Sequence, residues 1–283
     1  MTDALTNMRE FSAASQAKRK KLIDGFVFTE PLTRGWILPY LLQLESMAWG
    51  RWNYWLEMCE HQQLCAAPIP QIEWESADKL NNPARKMLER CLDGVTKYGD
   101  WHGWSGSNYF EYFADWLLFA FGDPSQTEEP KPPGGCEGAS ERLYQLFDLT
   151  PLLCMPHDYF GDILAESGYG KHQGFFPTPM EICQLMTSMN MDGEDMRDKT
   201  VCDPCVGTGR MLLCASNHSL RLYGVDILSI MCKVTKINCF LFAPWAAKPL
   251  DFLNRSNAVI GLAEGVTAKV APGIQQQQQL ELI

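Results

Sequence analysis

Three stretches in the second half of the chain place polar residues and glycines where they could hold a small charged ligand. The first, Gly174-Phe-Phe-Pro-Thr-Pro179, opens a helix. Thr178 reads as its N-cap, Pro179 suits the first helical position, and Glu181 completes a Thr-x-x-Glu capping box. The free amides at such a helix start favour a carboxylate. The second stretch is Val201-Cys-Asp-Pro-Cys-Val-Gly-Thr-Gly209, an apolar strand that ends in Asp203 and turns through Gly207 and Gly209 into a helix. Glycines there let the backbone approach a ligand with no Cβ in the way, and Asp203 can accept hydrogen bonds from an ammonium. No Gly-Lys-Ser/Thr follows, which excludes a P-loop, and the third glycine of the dinucleotide fingerprint is missing. The third stretch, Leu222-Tyr-Gly-Val-Asp226-Ile227, is a strand ending in an acid 17 residues after Gly209. An acid at the end of the second strand of a doubly wound sheet binds a ribose diol through two acceptor oxygens.

Together these stretches describe a pocket for a ligand with a carboxylate, an ammonium and a ribose, and S-adenosylmethionine has all three. The motifs also resemble a known family. Gly174–Pro179 is similar to the Gly-x-Phe/Tyr-x-Thr-Pro motif that precedes the sheet in amino-group, adenine-specific DNA methyltransferases. Asp203-Pro-Cys-Val-Gly-Thr-Gly209 resembles their cofactor loop. Gly224-Val-Asp226, followed by Asn238, resembles their second-strand motif and its helix. Asp158-Tyr-Phe-Gly-Asp-Ile-Leu164 is similar to the segment before the Thr-Pro motif in modification subunits of type I restriction systems. The resemblance spans about 155–245. It implies that Thr178 and Pro179 flank the methionine carboxylate, and that Asp203 and the Gly207–Gly209 backbone hold the amino-acid end. Asp226 takes the ribose, Ile227 lies against the adenine, and Phe176, Pro204 and Thr208 complete the cofactor-binding set.

One part of the family pattern is not found. Such enzymes carry an Asn/Asp-Pro-Pro-Tyr/Phe motif after the fourth strand, whose polar groups accept hydrogen bonds from the target amine and whose ring stacks on the flipped base. The one Pro-Pro in this sequence is Pro132-Pro133, between Lys131 and Gly134. After Asp226 there are 57 residues, against the four further strands a full sheet of this type adds beyond the third. The expectation is an incomplete cofactor-binding sheet whose first strand has an open edge, an aggregation hazard unless a partner covers it. Two functions follow: an S-adenosylmethionine-dependent DNA adenine methyltransferase, or its cofactor-binding half, in restriction-modification; or a catalytically inactive S-adenosylmethionine-binding or partner-binding protein. A third, transfer to an amino group of RNA or protein, has less support from the motifs. DNA, bound with help from another chain, is the expected macromolecular partner.

The elements that position these residues follow from periodicity. Apolar residues at helical spacing predict helices over 36–59, 83–95 and 109–121. Eight of nine tryptophans lie before residue 117. The spacing of Trp49, Trp52 and Trp55 marks a packed core rather than a platform for stacking bases. Residues 123–139 hold four prolines and three glycines and read as a linker. The second half predicts helices over 141–148, 157–167, 179–190, 210–217 and 229–242, with strands at 200–203, 221–226 and 257–261. That alternation implies an α/β fold with a parallel sheet. The expected organisation is a helical, tryptophan-rich domain (1–122), a linker (123–140), a partial Rossmann-like methyltransferase domain (141–265) and a disordered tail (266–283).

Composition sets the limits. The net charge is −10, with −7 in residues 1–150 and −3 in the rest, so bulk charge does not draw this chain to nucleic acid or anionic lipid. Lys18-Arg-Lys-Lys21 is a short basic cluster of the kind that solvates a helix face. An apolar fraction of 46% suffices for a core. Eleven cysteines without a secretory signal fit reduced thiols and a soluble, cytoplasmic chain. Cys202 and Cys205 form a Cys-x-x-Cys pair, but no second pair or spaced histidines complete a zinc site.

Overall fold

The computed structural model describes residues 32–75, 82–96, 106–167, 174–191, 195–253 and 260–262. The basic cluster at 18–21, Trp101, Trp104, the glycine-rich turn at 168–173 and the 266–283 tail lie outside the described residues. In chain order the elements are α1 (Leu38–Ala48), α2 (Arg51–His61), α3 (Pro83–Val95), α4 (Gly106–Phe121), α5 (Ala139–Leu146), α6 (Leu149–Cys154), α7 (Tyr159–Glu166) and α8 (Met180–Met191), then β1 (Thr200–Asp203), α9 (Arg210–Ala215), β2 (Arg221–Asp226), α10 (Ser229–Phe242), α11 (Pro244–Ala247) and β3 (Ile260–Leu262).

Local chemistry explains most boundaries. Helix α3 starts where Asn82 accepts from the amides of Ala84 and Arg85 and Pro83 takes the first turn. Met87, Leu88, Cys91, Leu92 and Val95 then bury one face. The single helix expected over 36–59 is instead two. Gly50 adopts φ +74°, and the Glu45 carboxylate turns back to accept from the amides of Arg51 at 2.8 Å and Trp52 at 2.9 Å. Those amides are the orphan donors of a new helix start, so a break here satisfies groups that a continuous helix would have bonded internally. Burial pushes the Glu45 carboxyl up, against the lowering effect of these amides. Helix α6 was not expected at all; six residues show too little period to be read.

The sheet is small and parallel, in the order β1-β2-β3. Thr200 to Asp203 pair with Arg221 to Gly224, and Gly224 to Asp226 pair with Ile260 to Leu262. Of the strand expected at 257–261, residues 257–259 lie outside the described residues; the described part is β3, Ile260–Leu262. Helix α9 is the crossover between β1 and β2. Among the described residues β1 has no strand on its other side. On α8, which packs against α9, Ile182, Leu185, Met186 and Met189 form an exposed apolar row.

The helical part packs directly onto the sheet part, and one apolar core runs from Ile37 to Leu250. The tryptophan row belongs to it. Trp49, Trp52 and Trp55 donate their indole N–H groups to the carbonyls of Leu153 (2.9 Å), Phe240 (3.0 Å) and Lys248 (2.7 Å). Phe121 stacks on Phe240 at 5.2 Å. Arg51, fully buried, donates to the carbonyl of Phe242 at 2.7 Å and the hydroxyl of Ser216 at 2.7 Å. Residues 123–138 contain no helix or strand, yet Asp123 and Cys136 are buried.

Candidate functional site

The turn after β1 is held by its own carboxylates. Asp203 accepts from the Cys205 amide at 3.0 Å through one oxygen. The Val206 amide bonds the Val225 carbonyl at 3.0 Å. The Gly207 amide bonds Asp226 Oδ2 at 3.0 Å, and the other Asp226 oxygen accepts from the Leu228 amide at 2.9 Å. Asp226 therefore fixes both its own turn and the glycine loop. Gly207 and Gly209 sit at φ +53° and +91°, a region that other residues enter only with strain. A Cβ on Gly209 would also lie 2.9 Å from Thr235 Cγ2.

A cavity of about 230 Å³ opens beside this loop. Of the residues expected to bind a cofactor, Phe176, Thr178, Asp203, Gly207, Thr208 and Asp226 line it. Pro179, Pro204, Gly209 and Ile227 are not part of that lining. Phe176 and Ile227 are 83% and 80% exposed. Thr208 is almost fully buried, and its hydroxyl is turned inward rather than toward the cavity. Helix α8 begins one residue later than expected: the Pro179 carbonyl, not that of Thr178, accepts its first bonds, from Ile182 and Cys183. A larger cavity of about 310 Å³ lies elsewhere, beside Pro68, Asp195 and Asn217. Its Arg197 guanidinium is engaged by Asp195 and by the carbonyls of Cys65 and Ala67.

Beneath the cavity, and reaching its lining at Thr208 and Arg210, is a buried polar node that sequence reasoning missed. Asp158, fully buried, accepts four hydrogen bonds. Oδ1 takes the Gly161 amide at 2.9 Å and Asn238 Nδ2 at 2.8 Å; Oδ2 takes the Thr208 hydroxyl at 2.5 Å and Arg210 Nε at 2.8 Å. Arg210 also donates to Asp162 Oδ1 at 2.6 Å and to the Thr178 carbonyl at 3.1 Å. His157 closes the node, with Nε2 3.0 Å from Asp162 Oδ2 and Nδ1 2.9 Å from the Glu75 carbonyl. Burial raises the Asp162 carboxyl, but the His157 hydrogen bond and the Arg210 charge outweigh it and bring it to about 2. Burial lowers Arg210, and the two aspartates more than offset that. One sequence signal was available. Arg210 is a cation at the first position of a short apolar helix, where the helix dipole disfavours positive charge. It had to be paired with something.

The cavity wall is therefore anionic, since Arg210 is already neutralised while Asp203 and Asp226 face the cavity. Cys202 and Cys205 are exposed free thiols. Among the described residues no cluster of three or more His, Cys, Asp or Glu is placed to hold a metal ion, and no helix is long and apolar enough to cross a membrane.

Residues 158–244 match the family model of the N-6 DNA methylases. The resemblance to adenine-specific DNA methyltransferases read from the motifs is thus borne out over this segment. The N-6 DNA methylase match opens on Asp158, the centre of the buried node, and runs through α7, α8, β1, α9, β2 and α10. It contains every residue expected at the site. No curated protein and no solved structure matches the chain.

Proposed function

We propose that the cavity binds S-adenosylmethionine and that the chain serves methylation of adenine amino groups in DNA, within restriction-modification. The observation that carries this reading is convergence. The Thr-Pro wall, the glycine loop and the acid of β2 meet at one cavity, inside the segment matched by the N-6 DNA methylases. The residues present fit the cofactor. An anionic wall suits a ligand that carries a sulfonium and an ammonium. Each Asp226 oxygen accepts one backbone amide and keeps a lone pair for a ribose hydroxyl. Asp203 has one oxygen beyond its turn bond for the ammonium. Phe176, on the lining, and Ile227, next to Asp226 in the chain, offer exposed apolar faces for the adenine. Bound there, the cofactor supplies the methyl group; the chain's own residues orient it. On this reading the three parallel strands are the start of a Rossmann-like sheet, and a protein partner covers the free edge of β1 and the apolar row on α8.

The alternative reading is a binder without turnover, which shares the same cofactor cavity and differs only in the transfer step. Calorimetry with S-adenosylmethionine, on the wild type and on Asp226→Ala, tests the shared step. Binding that is lost in the variant supports the site; no binding by the wild type refutes it. A radiolabelled methyl-transfer assay on unmethylated DNA separates the two readings. Transfer supports the enzyme, and tight binding without transfer supports the binder.

A further inference from the structure

We propose that Arg210 is a positioning residue that sets the spacing between the two walls of the cavity, and through it the grip on the amino-acid end of the ligand. The inference rests on the S-adenosylmethionine reading above. One wall is the segment before α8, and Arg210 holds its Thr178 carbonyl at 3.1 Å. The other wall is the glycine loop, and Arg210 holds it through Asp158. The same Asp158 oxygen that accepts from Arg210 Nε accepts the Thr208 hydroxyl, and Asn238 bridges Asp158 Oδ1 to the Thr208 carbonyl at 2.9 Å. Asp162 takes the remaining terminal nitrogen. Three partners in three directions need the planar fork of a guanidinium; an ammonium on a flexible stem cannot meet all three.

Nothing in helix stability explains this residue. It stands at the first position of a six-residue helix, where positive charge is disfavoured, and it is only 7% exposed. Close packing leaves no slack around its partner Asp158 and the Thr208 hydroxyl. A Cβ on Gly161 would lie 2.0 Å from Asp158 Oδ2 and 2.5 Å from the Thr208 hydroxyl. The ribose end is supported differently. Asp226 bonds the Gly207 amide of the glycine loop, but it is also fixed by the Leu228 amide of its own turn, which lies outside the Arg210 node. Loosening Arg210 therefore acts first on the amino-acid end, where both walls depend on it, and leaves the ribose acid its own anchor.

That selectivity is the test. Calorimetry compares the wild type with Arg210→Lys for two ligands: S-adenosylhomocysteine, which has the amino-acid end, and 5′-methylthioadenosine, which lacks it. Positioning predicts that the Kd for S-adenosylhomocysteine rises about tenfold while that for methylthioadenosine holds. Equal weakening of both, or of neither, overturns the inference and leaves the cofactor reading standing. A wild type that binds S-adenosylhomocysteine but not methylthioadenosine also overturns it, because the two ends are then not held separately. A wild type that binds neither refutes the cofactor reading and this inference with it. If Arg210→Lys does not fold, Asp162→Asn takes its place. It keeps the Asp158 pair but removes the charge that orients the terminal nitrogen. A smaller loss confined to S-adenosylhomocysteine supports the inference, and any loss shared equally refutes it.

Discussion

Replacing Asp158 by asparagine perturbs the buried node with almost no change of shape. The carboxylate is fully buried and accepts from four donors: the Gly161 amide, Asn238, the Thr208 hydroxyl and Arg210. An amide keeps one oxygen and turns the other into a donor. Whichever way it is oriented, two donors lose their acceptor and face an NH₂ group. A buried donor left unsatisfied costs about 1–3 kcal/mol. The Arg210 charge loses one of its two carboxylates and keeps Asp162 at 2.6 Å. The expected loss is about 3–5 kcal/mol, the range for breaking a buried ion pair and a large part of a typical stability of roughly 5–15 kcal/mol. Urea unfolding followed by tryptophan fluorescence measures it, with an unchanged denaturant slope showing that only stability moved. The pair also makes the effects of Asp158→Asn and Arg210→Met less than additive, by about 1 kcal/mol or more. A loss below about 1 kcal/mol, or strict additivity, would refute the claim that this node holds the loop.

Further predictions follow from the same contacts. The Asp162 carboxyl titrates at about 2 against an ordinary 3.8. Its contribution is therefore complete above the ordinary value and disappears as pH falls toward 2. Unfolding free energies measured between pH 5 and pH 2 should show a decline of about 2 kcal/mol from this group, absent in Asp162→Asn. Gly161→Ala forces a Cβ to 2.0 Å from Asp158 Oδ2, and thermal melts should show destabilisation of about 3 kcal/mol or more. Gly134→Ala meets nothing within 4 Å and should stay within about 0.5 kcal/mol of the wild type. Arg51→Met strips donors from the carbonyls of Pro70 and Phe242 and from Ser216 and Asn217. It should cost about 3 kcal/mol in the same melts, and an unchanged Tm would contradict the role given to Arg51. S-adenosylhomocysteine should slow thiol labelling of Cys205, on the cavity wall, and leave Cys202 untouched; equal rates at both would place the ligand elsewhere.

Legibility followed the range of the interactions. β1, β2, α3 and α10 match the expected bounds residue for residue, because each is a short apolar or periodic run. The break at Gly50 was not legible. Its glycine lies inside an intact helical period, and the group that rewards the break, the Glu45 carboxylate, acts across the turn. Pro179 and Thr178 show a smaller miss, since a Thr-Pro pair permits a helix start at either residue. The core role of Trp49, Trp52 and Trp55 was legible from spacing; their acceptors, about 100 to 190 residues away, were not.

The sequence by itself determined the chemistry of the site: which acids end the first two strands, where glycines free the backbone, and which wall carries the Thr-Pro pair. These are local matters, set by strand ends, turns and caps within a few residues. Tertiary structure alone decided that the three stretches share one cavity, and that the Thr208 hydroxyl bonds Asp158 instead of facing it. It also alone joined Asp158 to Arg210 across 52 positions. A buried ion pair leaves no periodic trace in a sequence, because its partners answer to desolvation and geometry rather than to their neighbours in the chain.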